Sequence, residues 1–194
     1  MALDHSCQVQ RHTLAERGRD CYGTPACAVE ALLRVEKIPP VIWEPTAGRG
    51  NITRVLREHG HRVVCSDIVA YDFPLDFVAD FMTTTAMPVG CECILTNPPY
   101  QLCARSAPFV QHALKLAPTV ILLMRLAFYE GESRCRILEH SGLCAIHVFR
   151  LRLPMMHRLE WRGRKANSGM AFAWFVWDRG HTGPTIIDRI SWER

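Results

Sequence analysis

Apolar residues fall in short blocks along this chain, and the spacing inside the blocks alternates between two patterns. After Thr24-Pro25, the residues Val29, Leu32, Leu33 and Glu36 recur at three- and four-residue steps. This predicts a helix over 26–36 with Thr24 as its N-cap and Pro25 at its first position, stopped by Pro39-Pro40. Val41-Ile42-Trp43 reads as a short buried strand. A helix capped by Asn51 and running to about His59 follows, with Ile52, Val55 and Leu56 on its inner face. Arg62 to Ser66 is a second strand, 77–79 a short third and 91–96 a fourth, with a helix predicted over 103–116. Thr119 to Met124 is uninterrupted apolar sequence, as in a central parallel strand covered on both faces. A helix over 130–140 ended by Gly142, strands over 143–151 and 171–177, and an edge strand over 185–192 complete the chain. Strands alternating with helices predict one doubly wound α/β domain over 21–194 behind a flexible, polar arm at 1–20. Its sheet is expected to be mostly parallel, with an antiparallel strand near the C-terminus.

Ligands in such sheets bind beyond the carboxyl ends of the strands, and polar residues collect there. The first strand runs into Glu44-Pro45-Thr46-Ala47-Gly48-Arg49-Gly50, a turn whose glycines let backbone N–H groups approach a ligand at a helix start. Thr53 stands where a dinucleotide fingerprint would have its third glycine, which argues against NAD. Asp67 ends the second strand 17 residues past Gly50, where a carboxylate accepts ribose hydroxyls. Ile68, beside it, belongs to the same candidate site.

The fourth strand stops at Asn97-Pro98-Pro99-Tyr100. Two prolines forbid its continuation and hold Asn97 in an extended corner. The Asn97 amide oxygen and the Pro98 carbonyl are then two acceptors suited to a planar amino group, and Tyr100 offers a flat face to a ring. Asn97-Pro98-Pro99-Tyr100 resembles the catalytic motif of S-adenosylmethionine-dependent amino-methyltransferases, which act on adenine N6 or cytosine N4 in DNA and, in some members, on RNA bases or a protein glutamine amide.

The Glu44-Pro45-x-Ala47-Gly48-x-Gly50 turn is similar to that family's methionine-binding motif, and Tyr22-x-Thr24-Pro25 to its N-terminal cofactor motif. The family also places an Asp-Phe pair after the third strand, near the cofactor adenine. Of Asp72-Phe73, Asp76-Phe77 and Asp80-Phe81, the pair that follows the short strand is Asp80-Phe81. The resemblance therefore implies a class I methyltransferase domain using S-adenosylmethionine, with adenine N6 in DNA the favoured target and RNA an open one. A protein glutamine-amide methyltransferase and a non-catalytic nucleic-acid-binding module are the competing readings.

Composition narrows this further. Apolar residues make up 48% and charged residues 22% of 194, which excludes a disordered chain. No apolar run has the length of a membrane span. Nine cysteines without paired spacing read as reduced thiols of a cytoplasmic protein, and no metal site is expected. Net charge is +4, unevenly divided: residues 1–97 hold 9 Lys/Arg against 12 Asp/Glu, residues 98–194 hold 14 against 7. The basic half is densest at 150–169, where Arg150, Arg152, Arg158, Arg162, Arg164 and Lys165 face the single acid Glu160, with Trp161 among them. A loop of that composition is a candidate nucleic-acid-binding insert.

Overall fold

The computed structural model describes residues 23–104, 107–154 and 169–193. In chain order they form α1 (Ala26–Leu33), β1 (Val41–Glu44), α2 (Asn51–Glu58), β2 (Arg62–Asp67), β3 (Phe77–Val78), β4 (Cys93–Thr96), α3 (Pro108–Leu116), β5 (Thr119–Arg125), α4 (Cys135–Glu139), β6 (Leu143–Phe149), β7 (Phe172–Asp178) and β8 (Ile186–Ile190). The eight strands make one sheet in the order β3-β2-β1-β4-β5-β7-β6-β8. All pairings are parallel except those of β7, which inserts antiparallel between β5 and β6. The expected doubly wound, mostly parallel α/β domain is what forms. The N-terminal arm and most of the basic insert, including Arg158, Trp161, Arg162, Arg164 and Lys165, lie outside the described residues, as does Tyr22.

Side chains along the central strands alternate between two cores. Phe172, Trp174 and Val176 of β7 join α1 and α2 on one face, while Ala173, Phe175 and Trp177 join α3 and Ile137 of α4 on the other. Burial on both faces is why these strands are apolar without interruption. Each β7 tryptophan also satisfies its indole N–H: Trp174 donates to the Ala28 carbonyl (2.9 Å) and Trp177 to that of Ile137 (3.1 Å). Among the described residues no helix is long and apolar enough to cross a membrane.

Several boundaries move from their expected places. The helix expected from residue 103 starts at Pro108, because Ala107 takes a left-handed conformation (φ 49°) and a short 3-10 turn occupies 100–103. The helix expected over 130–140 is α helix only over Cys135–Glu139, behind two 3-10 turns. Gly50, at φ 71°, is the N-cap of α2, so Asn51 is its first residue and not its cap.

A polar cluster centred on a buried histidine ties the segment after α1 to β6 and β8. His147 of β6 is 5% exposed, with Nε2 3.0 Å from Glu36 Oε2 and Nδ1 2.6 Å from Asp188 Oδ1. Burial lowers the imidazole pKa, but the two carboxylates outweigh it and hold the pKa above 6.5.

Candidate functional site at the carboxyl edge of the sheet

Because β1 to β6 are parallel, Glu44, Asp67, Asp80, Asn97, Arg125 and Arg150 all come at one edge, at or just past the ends of successive strands. The glycine turn is built from within. Ala47 N–H donates to the Ser66 carbonyl (3.0 Å) and Gly50 N–H to that of Ala47 (2.8 Å). A Cβ on Gly50 would run into the Phe73 ring, and its positive φ disfavours any other residue. Glu44 and Pro45 are buried beneath the turn. The Thr53 hydroxyl donates to the Glu44 carboxyl, which is the use this fold makes of the position where a dinucleotide fingerprint has glycine. Burial pushes the Glu44 pKa up to about 8, well above the ordinary carboxylate range.

Asp67 is 8% exposed and anchors the same turn: Oδ2 accepts the Gly48 N–H at 2.8 Å and Oδ1 that of Val69 at 3.1 Å. Each oxygen keeps a further lone pair. Ile68 beside it is 62% exposed. At the neighbouring strand end, the exposed Asp80 caps a 3-10 turn by accepting the Met82 N–H (2.9 Å). Phe81 turns inward against Trp43 and Phe109, with ring centroids 5.4 and 4.5 Å away. The other Asp-Phe pairs have different work. Asp76 accepts the Cys65 N–H at 2.7 Å and pairs with Arg57 at 3.6 Å, and Phe73 packs beneath Gly50.

Asn97 is connected to both neighbouring segments. Thr46 of the glycine turn bonds Thr96 (Oγ1 to Oγ1, 2.6 Å) and donates to the Asn97 carbonyl (3.3 Å). The Asn97 Nδ2 donates to Thr24 Oγ1 at 3.1 Å. Thr24, 3% exposed, is thus not the helix cap that its position before Pro25 suggests; Pro25 is the N-cap residue of α1, with no side-chain cap bond. With Nδ2 engaged, the Asn97 Oδ1 remains buried and has no hydrogen-bond partner among the described residues. A buried acceptor without a donor is unfavourable by about 1–3 kcal/mol unless something supplies one. Pro98 is buried behind it, and Pro99 leads into the turn that carries Tyr100.

Tyr100 packs on Phe172 with ring centroids 5.9 Å apart, and the Arg125 guanidinium lies over its ring, 4.9 Å from the centroid. Arg125 ends the apolar strand β5 at this edge just as Asp67 ends β2. Arg150 and Arg152 follow the end of β6 and are exposed.

No family model matches the chain, and a search of curated proteins returns no match. Solved structures do match. A protein of Pyrococcus horikoshii described as a candidate RNA methyltransferase superposes with a TM-score of 0.60 at 17% identity, covering 82% of this chain and 87% of its own. The modification subunit of a candidate type I restriction enzyme of Vibrio vulnificus gives 0.59 at 12% identity, over 87% of this chain and 47% of that one. A protein of Streptococcus thermophilus described as a candidate hemolysin gives 0.54 at 13% identity, over 84% and 68%. The fold is Rossmann-like, as in methyltransferases. Identity at this level speaks to the fold alone, and the chemistry has to be read from the edge itself.

Proposed function

We propose that the protein transfers a methyl group from S-adenosylmethionine to an exocyclic amino group of a nucleic-acid base, with adenine N6 in DNA the favoured acceptor. The observation that carries this reading is the unpartnered Asn97 Oδ1. The Thr24 hydroxyl accepts from the amide nitrogen and so fixes the amide, which leaves Oδ1 as a desolvated acceptor. Its natural complement is an N–H. An aromatic amine delocalises its lone pair into the ring and is a weak nucleophile. Accepting one amine hydrogen on Asn97 Oδ1 and the other on the Pro98 carbonyl favours a pyramidal nitrogen whose lone pair is free. Neutral Asn97 does not act as a base. When the new N–C bond has formed and the S–C bond has broken, the surplus proton leaves to water.

The residues of this edge suit the cofactor. Gly48 and Gly50 keep the turn open, Asp67 keeps spare acceptor capacity for ribose hydroxyls, and the exposed Ile68 offers an apolar surface for a flat ring. Thr24, Pro25, Glu44, Pro45 and Ala47 shape and support that turn, and Asp80 and Phe81 stand at the adenine end. S-adenosylmethionine would supply a methyl on a sulfonium centre, and the protein's part is positioning. The basic residues Arg150 and Arg152, with Arg158, Trp161, Arg162, Arg164 and Lys165, are assigned to the nucleic-acid backbone, which supports a polyanionic partner.

Transfer of labelled methyl from S-adenosylmethionine to separate DNA, RNA and protein pools tests the reading, followed by a nucleoside digest of the labelled product. N6-methyladenosine or its deoxy form is the expected result. Label in protein glutamine alone, or in no pool, would overturn it.

A further inference from the structure

Arg125 is exposed at the end of β5, and among the described residues it forms no ion pair. Its guanidinium rests on the Tyr100 ring, 4.9 Å from the centroid. The register Thr96↔Leu122 puts Arg125 one strand over from Asn97 and two residues further out, a distance of about 7 Å along the strand direction. That position lies outward of the point at which an amine would meet Asn97. A nucleotide whose base enters this edge leaves its sugar and phosphates outside, at the level that Arg125 occupies. The cation also covers a ring face that an incoming base would stack on, so base entry requires the guanidinium to move.

Resting on the methyl-acceptor reading above, we infer that Arg125 is a substrate-binding residue that holds the phosphate flanking the target nucleotide. Its guanidinium exchanges the Tyr100 ring for that phosphate as the base comes in. The planar fork suits both partners in turn: it stacks on an aromatic face and binds two phosphate oxygens at once.

The test measures binding of a single-stranded oligodeoxynucleotide carrying one adenine across a salt series, for the wild-type chain, Arg125→Gln and Arg125→Lys. Arg125→Gln is expected to weaken binding on the order of tenfold and to lower the salt slope by about 0.7, the value for one phosphate on a single strand. Arg125→Lys should keep the slope. Replacing the phosphate beside the target adenine by a neutral methylphosphonate should weaken wild-type binding by a similar factor and leave Arg125→Gln unaffected. This ligand-side change also decides the matter if Arg125→Gln folds poorly. An unchanged slope in a folded Arg125→Gln, or no loss at either flanking methylphosphonate, overturns the assignment while methyl transfer to nucleic acid continues. A wild-type chain that neither binds the oligonucleotide nor methylates any nucleic acid overturns both readings.

Discussion

The two edges of the sheet use their polar groups in opposite ways. At the amino edge a cleft of about 660 Å³ opens between α4 and the segments flanking β5, β6 and β7. Its polar groups serve the chain. Arg179 donates to the last carbonyls of α3, those of Leu114, Lys115 and Ala117, at 3.0–3.2 Å. Gly142, at φ 76°, lacks the Cβ that would strike the Asp178 carbonyl, and its own carbonyl accepts the Asp178 N–H at 2.9 Å. Cys135, Glu139 and His140 gather there with donor atoms within 4.8 Å of one another, but the Glu139 carboxylate accepts from the Cys135 thiol at 3.0 Å and holds it protonated above its usual range. At the carboxyl edge, by contrast, the buried Asn97 Oδ1 is left without a donor. The larger cleft and the unsatisfied Asn97 acceptor therefore lie at opposite edges of the sheet.

The sharpest way to break this comparison is to remove one polar group from each edge. Asn97→Ala should lower methyl transfer by about 10²–10³-fold or more, the range for deleting one preorganised hydrogen bond to a reacting group. Calorimetry should find its S-adenosylmethionine affinity close to wild type. Arg179→Ala should leave turnover alone and lower the unfolding free energy by about 1–2 kcal/mol in urea titrations. Equal activity in both variants would end the distinction.

The two strained glycines offer a second contrast. Both Gly50→Ala and Gly142→Ala place a Cβ against a neighbour at positive φ, so each should destabilise by about 2–5 kcal/mol. Only Gly50→Ala should also impair cofactor binding by the protein that remains folded, which differential scanning fluorimetry with and without S-adenosylmethionine would reveal.

Asp67→Ala is a smaller perturbation. Losing the anchor of the Gly48 N–H should weaken cofactor binding by about 1–3 kcal/mol and leave binding of an oligonucleotide unchanged.

The gentlest probe is pH. His147 carries a raised pKa in the native state, so its contribution is complete below 6.5 and fades as pH climbs through the raised value. Glu44, raised from 4.5 to about 8, binds its proton more tightly when folded, so its effect also favours low pH and declines between those values. Unfolding free energy should therefore fall from about pH 6 to 8, by at most about 1.4 kcal/mol per pH unit for each group. Glu44→Gln and His147→Gln should each flatten part of that decline in denaturant titrations.

Much of this architecture was legible in the chain because its signals are local. The strand Thr119–Arg125 announced itself by an apolar run, and the corner at Asn97 by two prolines. What escaped the sequence was any bond made at a distance. Thr24 before Pro25 has the form of a helix cap, yet its hydroxyl meets an amide 73 residues away. Nothing in the Asp-Phe repeats says that Asp76 is bound to β2 while Asp80 is not. Arg125 is silent in the sequence for a related reason: a single arginine after an apolar run carries no pattern, and its partner Tyr100 comes from another strand end.

The placement of β7 has a consequence for how the protein is made. This strand is the centre of the β5-β7-β6 trio, yet it is synthesised after both of its partners. Emerging from the ribosome, β5 and β6 have no bond to each other, and the sheet stays in two parts until residue 178 is available. Helix α1 and the segment after it wait longer in relative terms: Ala28 meets Trp174 across 146 residues and Glu36, just past the helix, meets His147 across 111. Closing such distant contacts is what slows folding. Pulse-labelled hydrogen exchange should find α1 gaining protection together with β7, well after β1 and β2. Since Thr24 sits just ahead of α1 and bonds the Asn97 amide, a segment synthesised before every strand of the sheet would be among the last to take up its role.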